Sequence, residues 1–425
     1  MDFMELPEAP RLRLTNLRAP ACLLGREGDL AMLDLAIAEG RLVDPTEPAD
    51  AEVDMGGRMV FPCFTDAHTH IDKGHIWARS PNPDGTFMGA LTTVGEDRVA
   101  RWSAEDVRRR ADFSLRSAWA HGTRNLRTHL DSSAPQDDIS WAVFRELRED
   151  WADCIDLQAV CLVGVDAVDG GPAWKKLSQT VKDSGGVLGT VTYPIPDVAA
   201  RLDIFFETAG TLGLDADFHA DETLDPSSAT LREIALAAKR TGYTGMINAG
   251  HCCSLSTQDE AEALATLDLC AEVGLSITSL AMCNMYLQDR HAGRTPRNRG
   301  VTLVHEARAR GIPVIFASDN TRDPFYAYGD LDMIEVMREA TRIAHLDHSR
   351  GDWTEAFLTA PAHACGFEAP SLAPGAPADL VITRARSWTE LFARPQTDRI
   401  VLRAGRAIDR TLPDYAELDD LMEPA

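Results

Sequence analysis

The sequence predicts an α/β protein: a (β/α)8 TIM-like barrel with a small β-sandwich domain built from both chain ends. Three observations carry this. Between about Phe61 and Pro370, apolar runs short enough to be buried strands alternate with longer amphipathic stretches, as βα units do. Every polar cluster of chemical interest falls at or just past the end of one of those runs, where barrel enzymes carry their sites. The two chain ends share a different pattern, with short apolar segments broken by Gly and acidic residues.

Taken in order, residues 1–60 form the first part of the small β domain, through LRLTNL, ACLLG and LAMLDLAIAEGRLV. Residues 61–370 form the barrel. Its eight candidate strands are MVFPCFTDAHTH, TRNLRTHLD, DLQAVCLV, VLGTVTYP, DADFHADE, GMINAGHC, SITSLAM and PVIFASDN. Candidate helices lie between them, as in SAEDVRRRADFSLRSAWAHG, where Ser103 with Asp106 marks an N-terminal cap and Gly122 a stop. Residues 371–425 complete the small domain through ADLVITRARS and DRIVLRAGRAI. No internal repeat stands out, and no GxGxxG follows the first strands, which argues against a dinucleotide-binding open sheet.

The chain has 425 residues, 44% of them hydrophobic, enough to bury one large core or two unequal ones. Its 42 Lys and Arg stand against 66 Asp and Glu, a formal charge of -24 that repels phosphate backbones and anionic membranes. A small neutral heterocyclic substrate is therefore the expected partner, with no nucleic acid and no membrane; a homo-oligomer is compatible with the composition. The nine Cys form no CxxC pair, so a reducing cytoplasm is the expected setting. The first residues lack a basic region followed by an apolar stretch, and no run of about 18 apolar residues occurs.

His68 and His70 in DAHTHIDK are the strongest single feature, because residues two apart on a strand face the same side. A pair of buried, hydrogen-bonded histidines would read the same way. The ends of later strands add His219 in DFHADE, His251 in AGHCC and Asp319 in ASDN. Three His and a carboxylate can bind Zn²⁺ or Fe²⁺, and His251 can serve instead as a group that bonds a metal-bound water.

With these motifs the chain resembles the amidohydrolase superfamily, and within it the cytosine deaminase branch. The resemblance covers nearly the whole chain: PCFTDAHTHIDK, HGTRNLRTHLD, CIDLQAV, FHADE, AGHCC, CNMYLQDR and SDNTRDPFYAYG occur in the branch's order. It implies one divalent metal ion per subunit, zinc or iron, on His68, His70, His219 and Asp319, with His251 against the bound water. Glu222, three residues beyond His219, takes the family's proton-relay role, and Asp319 accepts the water's proton. VLGTVTYP lacks the Lys that bridges two metals in the dihydroorotase and hydantoinase branch, which implies a single ion. The implied reaction is hydrolytic removal of an amino group from a small nitrogen heterocycle, with release of ammonia.

Departures from the branch bear on the substrate. Cytosine deaminases place a Gln shortly after the third strand, and Gly164 stands there instead. The family's Asp-Asp is Asp319-Asn320, and Phe325 replaces a usual Trp. A missing side chain at Gly164 removes a hydrogen bond and should open space, so a substituted cytosine or related base is expected in place of cytosine. Gln288 matches a family Gln near the rim. His129 and Asp131 read either as supports behind the metal or as core residues, while Lys73 and His75 read either as residues that reach the pocket mouth or, the preferred reading, as residues that face solvent. Two alternatives remain: an N-alkylamino-s-triazine amidohydrolase of the isopropylammelide type, which shares HTH-x-DK, and a non-catalytic barrel that binds without reacting.

Overall fold

A computed structural model describes residues 4–348 and 353–423. The chain divides into two compact units, one made of Met1–Thr65, Arg116–Asn125 and Asp332–Leu412, the other of Asp66–Leu115, Leu126–Leu331 and Pro413–Ala425.

The strands run β1 (Arg11–Pro20), β2 (Leu30–Ala38), β3 (Arg41–Val43), β4 (Ala51–Asp54) and β5 (Val60–Pro62). The barrel strands follow as β6 (Phe64–Thr69), β7 (Thr123–Asp131), β8 (Asp156–Leu162), β9 (Leu188–Thr192), β10 (Ala216–Ala220), β11 (Ile247–His251), β12 (Ser276–Ser279) and β13 (Val314–Phe316). β14 (Leu380–Ile382), β15 (Ile400–Arg403) and β16 (Arg406–Ala407) close the sequence.

The first unit holds two four-stranded sheets, ordered β3-β2-β1-β4 and β16-β15-β14-β5. β1 alternates buried and half-exposed residues, the period-two pattern of a strand with one face in a core. Leu12, Leu14, Leu35 and Ile37 of the first sheet pack in one cluster with Leu380, Ile382, Ile400 and Leu402 of the second, which makes the pair a sandwich. β5 pairs antiparallel with β14, so the two chain ends share a sheet. The run MVFPCFTDAHTH is therefore two strands: β5 belongs to the sandwich and β6 to the barrel.

β9 to β13 form one parallel sheet and β6 to β8 another. Parallel bridges Val160↔Val187 and Gly164↔Val191 join β8 to the β9 side, and Thr69↔Asp319 joins β6 to the segment after β13, closing a ring of eight strands. Its strands are buried throughout, as in β10 and β11, because packed side chains cover both faces. The intervening helices are amphipathic. Pro172–Asp183, for example, buries Trp174, Leu177, Ser178 and Val181, spaced as one helical face. Ala104–His121 starts with the Asp106 N–H donating to the Ser103 hydroxyl and ends at Gly122, whose φ of 97° suits only glycine comfortably.

A buried ion pair lies within the first unit. Arg399, 1% exposed, donates from both terminal nitrogens to the two oxygens of Asp332, which also caps the helix Met333–Ala344 at the Ile334 N–H. Burial alone would raise the Asp332 carboxyl, yet the Arg399 guanidinium holds it well below the usual carboxylate range. Arg399→Met removes the guanidinium from a buried carboxylate and should cost about 3–5 kcal/mol in urea unfolding at pH 7. Because the native carboxyl is depressed, its stabilisation is complete above the ordinary carboxylate range and fades on acidification. A loss below about 1 kcal/mol would put the pair in the class of surface ion pairs.

Candidate active site

The ends of β6, β10 and β13 meet at one point. Nε2 of His219 lies 3.1 Å from Nε2 of His68 and 3.2 Å from Nε2 of His70. Oδ1 of Asp319 stands 3.6 Å from His68 Nε2 and 3.3 Å from His70 Nε2. All four residues are at most 5% exposed. Four ligand atoms each 2.0–2.1 Å from a central ion at tetrahedral angles are about 3.3–3.4 Å apart, so the donor set fits one small divalent ion.

The electrostatics point the same way. Burial, reinforced by neighbouring imidazoles, drives the His68, His70 and His219 pKa values well below the ordinary range, leaving neutral rings with lone pairs to give. Burial pushes the Asp319 carboxyl up to about 7 against the Cys283 thiol that hydrogen-bonds it, and among the described residues no N–H or O–H donates to either of its oxygens. A buried carboxylate so weakly satisfied is costly, and a cation between it and the imidazole Nε2 atoms would offset that cost.

Backbone geometry aims these groups. Asp319 and His251 have φ of 68° and 69°, left-handed values that non-glycine residues adopt at an energetic cost. The Asp319 N–H donates to the His68 carbonyl at 2.9 Å, which fixes the end of β6 to the segment after β13.

His251 and Glu222 sit beside this cluster, with His251 Nδ1 3.4 Å from Glu222 Oε1. The amide nitrogen of Asn284 lies 2.9 Å from His251 Nδ1, while Nε2 has no partner. As the Asn284 amide is oriented, it donates to Nδ1 and leaves the ring proton on Nε2. Glu222 is 11% exposed at its side chain, and burial, aided by the Asp319 carboxylate, raises its pKa well above the usual value.

The remaining sequence-derived candidates are placed as follows. Gln288 donates to the Glu222 backbone carbonyl at 3.1 Å, so its amide braces the Glu222 loop. Asn320 donates to Asp323 at 2.7 Å, and the Phe325 N–H donates to the same carboxylate at 2.8 Å. No space opens at Gly164: a Cβ there would come within 2.5 Å of the Asp166 carboxylate and 2.6 Å of the Tyr193 hydroxyl. Tyr193 bonds Asp166 and fills the volume the missing side chain would have left. Lys73 and His75 do not face solvent; they are 5% and 4% exposed. His129 stacks on His68 with ring centroids 3.9 Å apart and sets its Nε2 3.3 Å from Asp217. Asp131 pairs with Arg98.

Several buried residues that hold the site together were not singled out from the sequence. Asp217 accepts from Arg127 at 2.8 Å and from Asn248 at 3.2 Å, below the metal-type cluster. Asp66 accepts from the Ser318 N–H and hydroxyl, tying β6 to the end of β13. Asp221 accepts from Ser228, Thr230 and Leu231 and so fixes the loop that carries Glu222. The signal for two of them was spacing, since Asp66 and Asp217 each stand two residues before a convergent His on a buried strand.

A family model described as the amidohydrolase family matches residues 157–408. A pterin deaminase of Rhizobium rhizogenes is 53% identical over 432 aligned positions, covering 99% of each chain. The chain belongs to the amidohydrolase family. This amidohydrolase is also similar to the crystal structure of a 5-methylcytosine deaminase from Klebsiella pneumoniae liganded with 5-fluorocytosine. The TM-score is 0.81 at 26% identity, covering 93% of this chain and 97% of that one. An N-isopropylammelide isopropyl amidohydrolase of Pseudomonas sp. is 24% identical, covering 91% of this chain and 93% of its own.

Proposed function

We propose that this amidohydrolase is a hydrolytic deaminase of a pterin, replacing the 2-amino group of the bicyclic ring by oxygen and releasing ammonia. One observation carries the chemistry: Glu222, whose carboxyl burial pushes well above the usual range, and His251, held by Asn284, stand directly beside four convergent metal-type donors. The ring assignment is supported by the 53% identity to a pterin deaminase along the whole chain, and it replaces the substituted cytosine expected from the sequence.

When bound by His68, His70, His219 and Asp319, a single divalent ion lowers the pKa of a water to about 7 and so supplies hydroxide near neutrality. The absence of Lys from β9 supports one ion instead of two. Nε2–H of His251 orients the attacking oxygen by donating to it. Asp319, beside the attacking oxygen, would take up the proton of the water and pass it on to the leaving amino group. Glu222, protonated by its burial, gives its proton to the ring nitrogen next to the amino-bearing carbon. The carbon–oxygen bond forms, the carbon–nitrogen bond breaks, and the amino group leaves as ammonia once it has taken a proton.

A panel of pterin, cytosine, 5-methylcytosine, isoguanine and an N-isopropylamino-s-triazine tests the assignment by released ammonia or alkylamine. Pterin should exceed the single-ring substrates in kcat/KM by at least about 10²-fold, the scale at which mismatched polar groups discriminate. Alkylamine release from the triazine as the fastest reaction would overturn the pterin assignment, as would cytosine as the best substrate.

A further inference from the structure

The turn that leaves the first barrel strand buries a lysine three residues beyond His70. Lys73 is 5% exposed, and among the described residues its ammonium has no hydrogen-bond or ion-pair partner. What it meets is an aromatic face: Nζ lies 5.0 Å from the centroid of the Phe325 ring. Phe325 is itself held in place, with its N–H on Asp323 and its ring edge-to-face with Phe87 at 5.5 Å. Asp323, the carboxylate nearest in sequence to that ring, already accepts from Asn320, Phe325 and Tyr326.

A buried ammonium with no hydrogen-bond acceptor leaves its N–H groups unused, and a chain that keeps one has placed a donor where something else will accept. The lysine leaves β6 three residues after His70, and the ring it meets follows Asp319 by six residues, so the ammonium sits where the loops that follow two of the metal-type donors come together.

We propose that Lys73 is a substrate-binding residue whose ammonium donates to the ring carbonyl oxygen of a 2-amino-4-oxo heterocycle, so that the site selects oxo rings over their diamino counterparts. This rests on the deaminase reading above. Lysine has three donors and no acceptor, and the acceptors of such a ring are its carbonyl oxygen and its bare nitrogens. Glu222 serves the nitrogen next to the reacting carbon, and of the acceptors that remain the carbonyl oxygen carries the largest negative charge, which suits an ammonium best. Electron density moves toward that oxygen as water adds to the ring, and a fixed positive charge in a dry pocket is worth most where charge develops. An amino group in place of the oxygen sets donor against donor and leaves both unpaired.

The test uses the metal-loaded protein with Lys73→Met and Lys73→Arg. Removing an unpaired buried charge should leave metal content unchanged and the melting temperature unchanged or raised, so Lys73→Met is expected to fold. Its kcat/KM for pterin should fall about 10²-fold, the loss typical of one charge-stabilising donor. The native preference for pterin over 2,4-diaminopteridine should collapse, and binding of the dioxo product, followed by its fluorescence, should weaken in parallel. Lys73→Arg should recover part of the product affinity and of the oxo preference. Unchanged kcat/KM and unchanged oxo-against-amino discrimination in a folded, metal-loaded Lys73→Met protein would overturn the proposal. If the native protein deaminates cytosines and not pterin, the pterin reading fails alone. The lysine is then read on cytosine against 2,4-diaminopyrimidine, where the same collapse supports it and its absence overturns it.

Discussion

Substituting His219 by Ala should reduce bound metal from close to one divalent ion per chain to a small fraction of that, and reduce deamination by at least about 10³-fold. The size follows from what is lost: without an ion to lower its pKa from 15.7 to about 7, water at neutral pH is almost entirely unionised. His219 is the most informative ligand to remove, because its Nε2 lies within 3.2 Å of both other imidazole donors and is the common point of the cluster. Chelation of the native protein should reproduce the loss, and readdition of Zn²⁺ or Fe²⁺ should restore it in the native chain but not in the variant. Elemental analysis gives the stoichiometry directly. Two ions per chain, or full activity after exhaustive chelation, would rule out the single-ion site.

The second large effect is expected at Glu222. Glu222→Gln keeps the shape of the side chain and its place beside His251, 3.4 Å from Nδ1, but cannot pass on a proton. Turnover should fall by about 10²–10⁴-fold, the usual contribution of a positioned acid or base, while metal content and product binding stay near native. A fall in affinity with little change in kcat would instead make Glu222 a binding group. Gln288 offers a graded companion: its side chain holds the Glu222 carbonyl at 3.1 Å, so Gln288→Ala should lower kcat by a smaller factor, about 10-fold, through the position of that loop.

Much of the barrel was readable because burial leaves a strong imprint on short segments. β8 (Asp156–Leu162) and β13 (Val314–Phe316) coincide with apolar runs bounded by Gly and acidic breaks, since a strand covered on both faces has little room for solvated residues. The HxH spacing on β6 was equally direct, because alternation along a strand puts both imidazoles on one side whatever the tertiary context. The single long run at Met59–His70 was misread as one strand. Hydrophobic pattern cannot tell which sheet a segment joins, and the division between β5 and β6 depends on β14, more than 300 residues away in sequence.

By itself, then, the sequence determined the parallel α/β architecture and the identity of the convergent His and Asp residues, because each leaves a local signature in period or spacing, while the family was legible through the resemblance that its motifs carry. Distances between strands decided the rest. That Asn284 faces His251, that Asp217 ties Arg127 to Asn248, and that Tyr193 occupies the volume beside Gly164 are contacts between residues 29–90 positions apart. The burial of Lys73 against Phe325 belongs with them. No local pattern encodes such contacts, since whether a polar side chain meets solvent, a partner or an aromatic face depends on what the closed barrel brings opposite it.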